Sequence, residues 1–286
     1  MTALPKIDEV SPGPGAPARA VDAYTAAQSA QDAAVGHTTR TFSVWRGEKG
    51  VGAFHAFTVE TNDGMVVLDA VHRIQAEQAN DLAVRWNCKA GKCGSCSAEI
   101  NGKPKLMCMT RLEDLPADEP VTIEPMRAFP HTRDLVTDVS WNFRVKPRIQ
   151  RFTPRPPDAP DGTWRIDQRD VDRVQEFRKC IECFLCQDVC HVLRDHHKQE
   201  EFIGPRFLVY AAALEMHPLD TADRVTQLKE DFGIGYCNIT KCCTKVCPEE
   251  ITITDNAIIP LKERVVDRHY DPLRALVRLV RGSRKS

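Results

Sequence analysis

Residues 180–190 read CIECFLCQDVC and residues 237–248 read CNITKCCTKVCP, and how these two runs answer each other decides the architecture. The first spaces its cysteines as C-x2-C-x2-C-x3-C, a rhythm that holds paired iron-sulfur clusters and in which the fourth cysteine ligates the other cluster. A single run is therefore incomplete. Counting the same rhythm from Cys237 lands on Thr240, Cys243 and Cys247, with Pro248 following as the pattern requires. A threonine stands where the second cysteine belongs. Reciprocal ligation gives one site Cys180, Cys183, Cys186 and Cys247, a full set for a 4Fe-4S cluster. The other site receives Cys190, Cys237 and Cys243. Three thiolates without a fourth favour a 3Fe-4S cluster, because the iron that would face Thr240 has no strong soft ligand. Cys242 is left over. Lying next to a ligand on a helix, it should point elsewhere as a small buried thiol, with cluster ligation or redox reactivity as the alternatives.

Four cysteines lie upstream, Cys88, Cys93, Cys96 and Cys108, in CKAGKCGSCSAEINGKPKLMC. Their C-x4-C-x2-C spacing with a distant fourth is that of a plant-type 2Fe-2S site. Gly91 and Gly94 allow the backbone to curl and to aim amides at the cluster sulfurs. Four zinc ligands are the rival reading, but zinc ribbons pair two C-x2-C knuckles, and this loop has one knuckle and an offset cysteine. Disulfides could explain the even total of 12 cysteines but not two interlocking rhythms.

The 286 residues suffice for two modest domains. With 39 basic residues against 40 acidic ones the formal net charge is -1, which excludes a nucleic-acid partner at domain scale. The most apolar stretch, FLVYAAALEM (207–216), is too short to cross a bilayer and has Arg206 just before it. The first residues lack the basic and apolar regions of a secretory signal, so a cytoplasmic protein is expected, with any membrane association peripheral.

Residues 1–37, rich in Ala, Pro and Gly, read as a mobile extension. From 38 to 145 the signals are of short strands: TRTFSVWR, AFHAFTVET, CSAEI and KPKLMCMT across an Asn101-Gly102 turn, and EPVTIEP. One helix, MVVLDAVHRIQAEQAND, interrupts them, so a small mixed sheet with a crossing helix is expected. The proline-rich segment 146–162 reads as a linker. Beyond it, residues 163–286 are mostly helical, in DQRDVDRVQEFRKCIEC, GPRFLVYAAALEMH, TADRVTQLKEDFG and NAIIPLKERVVDRHYD. The end places Leu273, Leu276, Val277 and Val280 on one helical face.

The order of these sites, together with CIECFLCQ, GPRF, EMHPLDTADR and YCNITKCCTKVCP, resembles the iron-sulfur subunit of succinate dehydrogenase and fumarate reductase, the actinobacterial versions in particular. The resemblance covers roughly residues 39–270. It implies an α+β chain, with an N-terminal β-grasp ferredoxin-like domain followed by an all-α helical ferredoxin domain. It implies three clusters in a line, a partner flavoprotein with covalent FAD, and membrane anchor subunits that hold quinone and keep the chain on the cytoplasmic face of the membrane. Electrons would pass singly from flavin through 2Fe-2S, 4Fe-4S and 3Fe-4S to quinone. No dicarboxylate chemistry falls on this chain. The sequence departs from the ubiquinone-linked members at CHVLRDHH and at Asn238, where their Pro, Trp and His are missing. His191, Arg194 and Asn238 are the candidates to stand in, with a menaquinone held mainly by the anchors. Fumarate reduction by the same subunit, a heterodisulfide-reductase or glycolate-oxidase component, and a colourless zinc module are the alternatives; Thr240 speaks against the second, whose relatives usually keep both runs complete.

Overall fold

The computed structural model describes residues 38–272; residues 1–37 and the apolar face formed by Leu273, Leu276, Val277 and Val280 lie outside them. The first half is built on a long hairpin, β1 (Thr38–Glu48) and β2 (Val51–Thr61), paired antiparallel from Thr38–Thr61 to Glu48–Val51. Helix α1 (Val67–Glu77) follows, then β3 (Ser97–Ile100) and β4 (Lys103–Leu106), joined across Asn101 and Gly102. Both turn residues have positive φ, as a two-residue hairpin of primed type demands. Strand β5 (Val121–Glu124) runs parallel to β1 and antiparallel to β3, so the sheet is mixed, and its path is β4-β3-β5-β1 with β2 on the outer side of β1.

The alternation of β1 turns Phe42 and Val44 inward, in register with Val121 and Ile123 of β5. Val67, Leu68, Ala70, Val71 and Ile74 of α1 pack there and are buried. Apolar residues at helical spacing on α1 meet apolar residues at period two on the strands, which is what a helix crossing a half-buried sheet needs. Two short strands, β6 (His131–Arg133) and β7 (Val136–Thr137), extend the sheet beyond β1. Buried Asp134 between them accepts hydrogen bonds from Gly47 N (3.0 Å), Arg46 Nε (3.0 Å) and Ala83 N (2.8 Å), replacing apolar anchoring that strands of this length cannot supply.

The second half is helical: α2 (Ser140–Val145), α3 (Gln168–Gln175), α4 (Leu185–Asp188), α5 (His191–Arg194), α6 (Gly204–Glu215), α7 (Val225–Glu230), α8 (Cys242–Lys245) and α9 (Ile259–His269). α6 is its core rod. Phe207, Leu208, Val209, Ala211 and Ala212 are buried, so the most apolar stretch of the sequence is spent on the interior. Among the described residues no helix is long and apolar enough to cross a membrane. α7 is shorter than its sequence pattern, because residues 221–224 form a turn around Arg224 and Asp220.

That turn explains the proline-rich segment. Thr153 N donates to Asp220 Oδ1 (3.0 Å) and Arg155 N to Leu219 O (2.8 Å). The fully buried Arg224 donates to the carbonyls of Gln150 (2.7 Å) and Arg151 (2.9 Å) and to Asp220 (2.8 Å). The proline-interrupted residues are laid as a strap, with the carbonyls of Gln150 and Arg151 satisfied by one guanidinium.

Candidate metal centres

The first centre lies in the loop between α1 and β3. Cys88 is exposed, Cys93 half-buried, and Cys96 and Cys108 are buried. Lys89 and Gly91 take left-handed backbone conformations (φ +54° and +67°), and the curl turns main-chain amides onto sulfur. Ala90 N and Lys92 N lie 3.4 Å and 3.3 Å from Cys88 Sγ, and Cys88 N lies 3.5 Å from Cys93 Sγ. Such amides stabilise negative sulfur. Cys108, delivered by the turn after β4, interacts with Cys96. Burial, with the neighbouring thiols, pushes Cys96 up to about 12. Burial also raises Cys93, but hydrogen bonds from Ser95 and Cys88 outweigh it and bring that thiol down to about 7.

In the second centre Cys186 interacts electrostatically with Cys183, Cys180 and Cys247, and Cys183 with Cys180 and Cys247. The structure thus brings the last cysteine of the second run to the first three of the first. Burial pushes Cys183 up to about 12 and Cys186 well above the usual thiol range. Buried thiols of this kind ionise when a metal takes the thiolate, so loading such a cage releases protons.

The third centre gathers Cys190, Cys237 and Cys243. They line one small pocket with His191, Asn238, Thr240 and Cys242. Burial raises Cys190 to about 11, with Cys242 and Cys237 adding to the rise. The rim formed by Asn238, Ile239, Thr240 and Lys241 is exposed. Here the structure corrects one expectation. Cys242 does not turn away: its sulfur lies 3.2 Å from Thr240 Oγ1 and contacts His191 and Cys243. Cys242 is the first residue of α8, and Lys241 before it is left-handed (φ +61°), so the rule for neighbours along a helix does not govern the pair Thr240 and Cys242.

The three centres are contiguous. A Cβ on Gly94 would fall 2.5 Å from Cys183 Cα, so the first loop is pressed against a ligand of the second centre. The Ser97 hydroxyl sits 2.9 Å from both Gly94 O and Cys183 O. Cys243 of the third centre interacts with Cys186 of the second. Among the described residues no three side chains of His, Cys, Asp or Glu converge as they would around a single ion. A mononuclear zinc cage needs four ligands at about 2.0–2.3 Å from one point, whereas cluster thiolates sit on different irons. The donor sets, the sulfur-directed amides and the buried thiols fit iron-sulfur clusters.

A buried acidic group, not foreseen from the sequence, ties the halves together. Glu99 of β3 is fully buried and pairs with Arg194 of α5 (3.2 Å) and Arg127 (3.4 Å). Asp188 of α4 accepts from Ala128 N (2.9 Å); burial, with Glu99 beside it, raises its carboxyl to about 7. Arg194, a candidate for quinone contact, has its guanidinium committed here. His196 and His197 are exposed.

Comparison with known proteins follows the same division. Residues 41–144 match a family described as a 2Fe-2S iron-sulfur cluster binding domain, and residues 176–251 one described as a 4Fe-4S dicluster domain. The chain is 34% identical over 203 residues to the fumarate reductase iron-sulfur subunit of Mycobacterium tuberculosis, covering 69% of this chain and 80% of that one. It is 27% identical over 235 residues to the succinate dehydrogenase iron-sulfur subunit of Paracoccus denitrificans, covering 80% and 89%. It is similar to a chain of the Mycobacterium smegmatis Sdh1 complex in the apo form, with 62% identity, a TM-score of 0.80, and 83% of this chain and 99% of that chain covered.

Proposed function

This chain belongs to the family of succinate dehydrogenase and fumarate reductase iron-sulfur subunits, and from that premise we infer that it is the electron-transfer subunit of a succinate:quinone oxidoreductase. Cys88, Cys93, Cys96 and Cys108 hold a 2Fe-2S cluster, Cys180, Cys183, Cys186 and Cys247 a 4Fe-4S cluster, and Cys190, Cys237 and Cys243 a 3Fe-4S cluster. When bound, these groups supply one-electron carriers between a flavin and a quinone. The observation that carries the reading is the convergence of Cys247 on Cys180, Cys183 and Cys186, across the chain from its own run.

The work of the chain itself is positional. The loop amides hold negative sulfur in the first centre, Gly94 allows that loop to lie directly on Cys183, and buried apolar side chains keep water from the inner thiols. Rigid, dry cages keep reorganisation small, and net charge and amide hydrogen bonds tune each potential. The exposed edge at Cys88 and Lys89 faces a flavoprotein with covalent FAD. The exposed rim at Asn238–Lys241 faces membrane anchor subunits carrying quinone, with His191 and Asn238 as this chain's nearest polar groups to it. The chain is then peripheral, held at the cytoplasmic face by the anchors. The sheet with its crossing helix is of β-grasp type, and the helical half is an all-α ferredoxin domain. Whether the complex oxidises succinate or reduces fumarate is set by potentials.

The test is iron and sulfide analysis of the intact complex isolated in its oxidised state. About nine irons and ten sulfides per chain are expected, with a paramagnetic resonance from the 3Fe-4S cluster in the oxidised state and from the 2Fe-2S and 4Fe-4S clusters after reduction. A colourless chain holding zinc would overturn the reading.

A further inference from the structure

The loop Cys180–Cys186 and the loop Cys237–Cys243 place left-handed residues at the same two steps, Glu182 and Phe184 in one and Ile239 and Lys241 in the other, with φ between +55° and +62°. Each then enters a short helix, at Leu185 and at Cys242. The loops therefore align place for place: Cys183 with Thr240, Leu185 with Cys242, Cys186 with Cys243. Where the first loop has a thiol and then an apolar side chain, the second has a hydroxyl and then a thiol.

That thiol is not idle filler. Leu185 is buried among apolar neighbours. Cys242 Sγ instead touches the Thr240 hydroxyl at 3.2 Å, contacts His191, and shares the pocket of Cys190, Cys237 and Cys243. Its sulfur thus reaches the side chain that occupies the missing ligand's place.

We propose that Cys242 is a conditional fourth ligand of the third centre, so that this centre takes up and releases one ferrous ion. The inference rests on the three-thiolate reading above. Uptake needs no oxidant. Cys242 gives its thiol proton to solvent and forms one Fe–S bond to an incoming ferrous ion, whose remaining bonds go to sulfides of the reduced cluster. A neutral 3Fe-4S core and a dipositive iron make a dipositive 4Fe-4S core, with no electron transferred. Release needs an oxidant such as ferricyanide, which takes one electron to leave the oxidised 3Fe-4S core and a free ferrous ion. The threonine keeps the cage open and the adjacent sulfur lets it close.

The experiment uses the intact complex, wild type and Cys242→Ser. Oxidised samples are reduced anaerobically with dithionite in the presence of ferrous salt, freed of excess iron, and returned to mild potential. Wild type should lose the 3Fe-4S resonance of the oxidised state from most of the protein, gain one iron per chain, and recover the resonance with ferricyanide. Cys242→Ser should keep the resonance and its iron count throughout. A wild-type resonance undiminished by ferrous iron overturns the proposal, as does equal loss in Cys242→Ser. A wild type that shows no 3Fe-4S resonance even after ferricyanide, while its other clusters are intact, overturns the three-iron reading and this inference with it.

Discussion

Residues 180–186 and 237–243 follow the same backbone course and carry different chemistry. Both place left-handed residues two and four steps after the first cysteine, and both send their last cysteine into a short helix. The first presents three thiols to one cage, the second two thiols, a hydroxyl and an offset thiol. The conformation of such a loop is therefore a scaffold that tolerates exchange at the second place, and the side chain put there decides the cluster. The loops also differ in anchorage. The first is followed by Arg194, locked onto fully buried Glu99 of the sheet. The second is held by Lys241 and Asp255 at 2.7 Å, both substantially exposed.

The sharpest way to break this comparison is to alter the second place in each loop. Cys183→Ser should remove the 4Fe-4S resonance and lower quinone-linked turnover on the order of 100-fold or more, whereas Thr240→Ser should leave iron content unchanged. Equal effects would dissolve the distinction between the loops.

The anchors come next. Arg194→Ala leaves buried Glu99 with only the half-exposed Arg127 as its cation and should destabilise by about 3 kcal/mol, lowering the thermal midpoint by several degrees for a chain of this size. Adding Glu99→Gln should restore part of the loss. Lys241→Ala, on the exposed pair, should cost no more than about 1 kcal/mol.

Close approach separates the loops further. Gly94→Ala forces a Cβ against Cys183 at a left-handed residue, where the conformation alone costs about 1–2 kcal/mol. Gly235→Ala, beside the second loop with nothing within 4 Å of the added carbon, should change stability by less than about 0.5 kcal/mol. Calorimetry of the two variants checks both.

The last test is a pH dependence. Asp188, between Cys186 and Cys190, has its carboxyl raised to about 7 by burial and by Glu99. An acid whose pKa is higher folded than unfolded holds more protons when folded. Its contribution to stability therefore falls as pH rises from about 4, the unfolded value, to about 7, and is flat above that. The thermal midpoint of Asp188→Asn relative to wild type should rise across that window; a constant difference would mean that the carboxyl is not proton-linked.

Much of this was legible because the spacing of ligands along a chain is set by cluster geometry. The rhythms from Cys88, Cys180 and Cys237 identified the ligand sets proposed here, and the alternation in TRTFSVWR and the Asn101-Gly102 turn located strands that the structure contains. What stayed hidden has physical reasons. Strands β6 and β7 are too short to show a period. The course of the proline-rich segment was hidden because composition does not reveal that Arg224, far along the chain, binds the carbonyls of Gln150 and Arg151. Glu99 in SAEI reads as an outward residue, yet all four residues of that strand are buried, and its partner Arg194 lies 95 residues away. The place of Cys242 was hidden because spacing along a helix does not show that the left-handed Lys241 before it brings the Thr240 hydroxyl within 3.2 Å of its sulfur.

The exchange of last cysteines between the two runs is tested most directly by Cys247→Ser in the intact complex, read by paramagnetic resonance in the oxidised and reduced states. Cys247 belongs to the second run by sequence and stands within electrostatic reach of the first run's Cys180, Cys183 and Cys186. Loss of the reduced 4Fe-4S resonance with the oxidised 3Fe-4S resonance retained is the predicted result. Loss of the 3Fe-4S resonance with the 4Fe-4S resonance intact would contradict it.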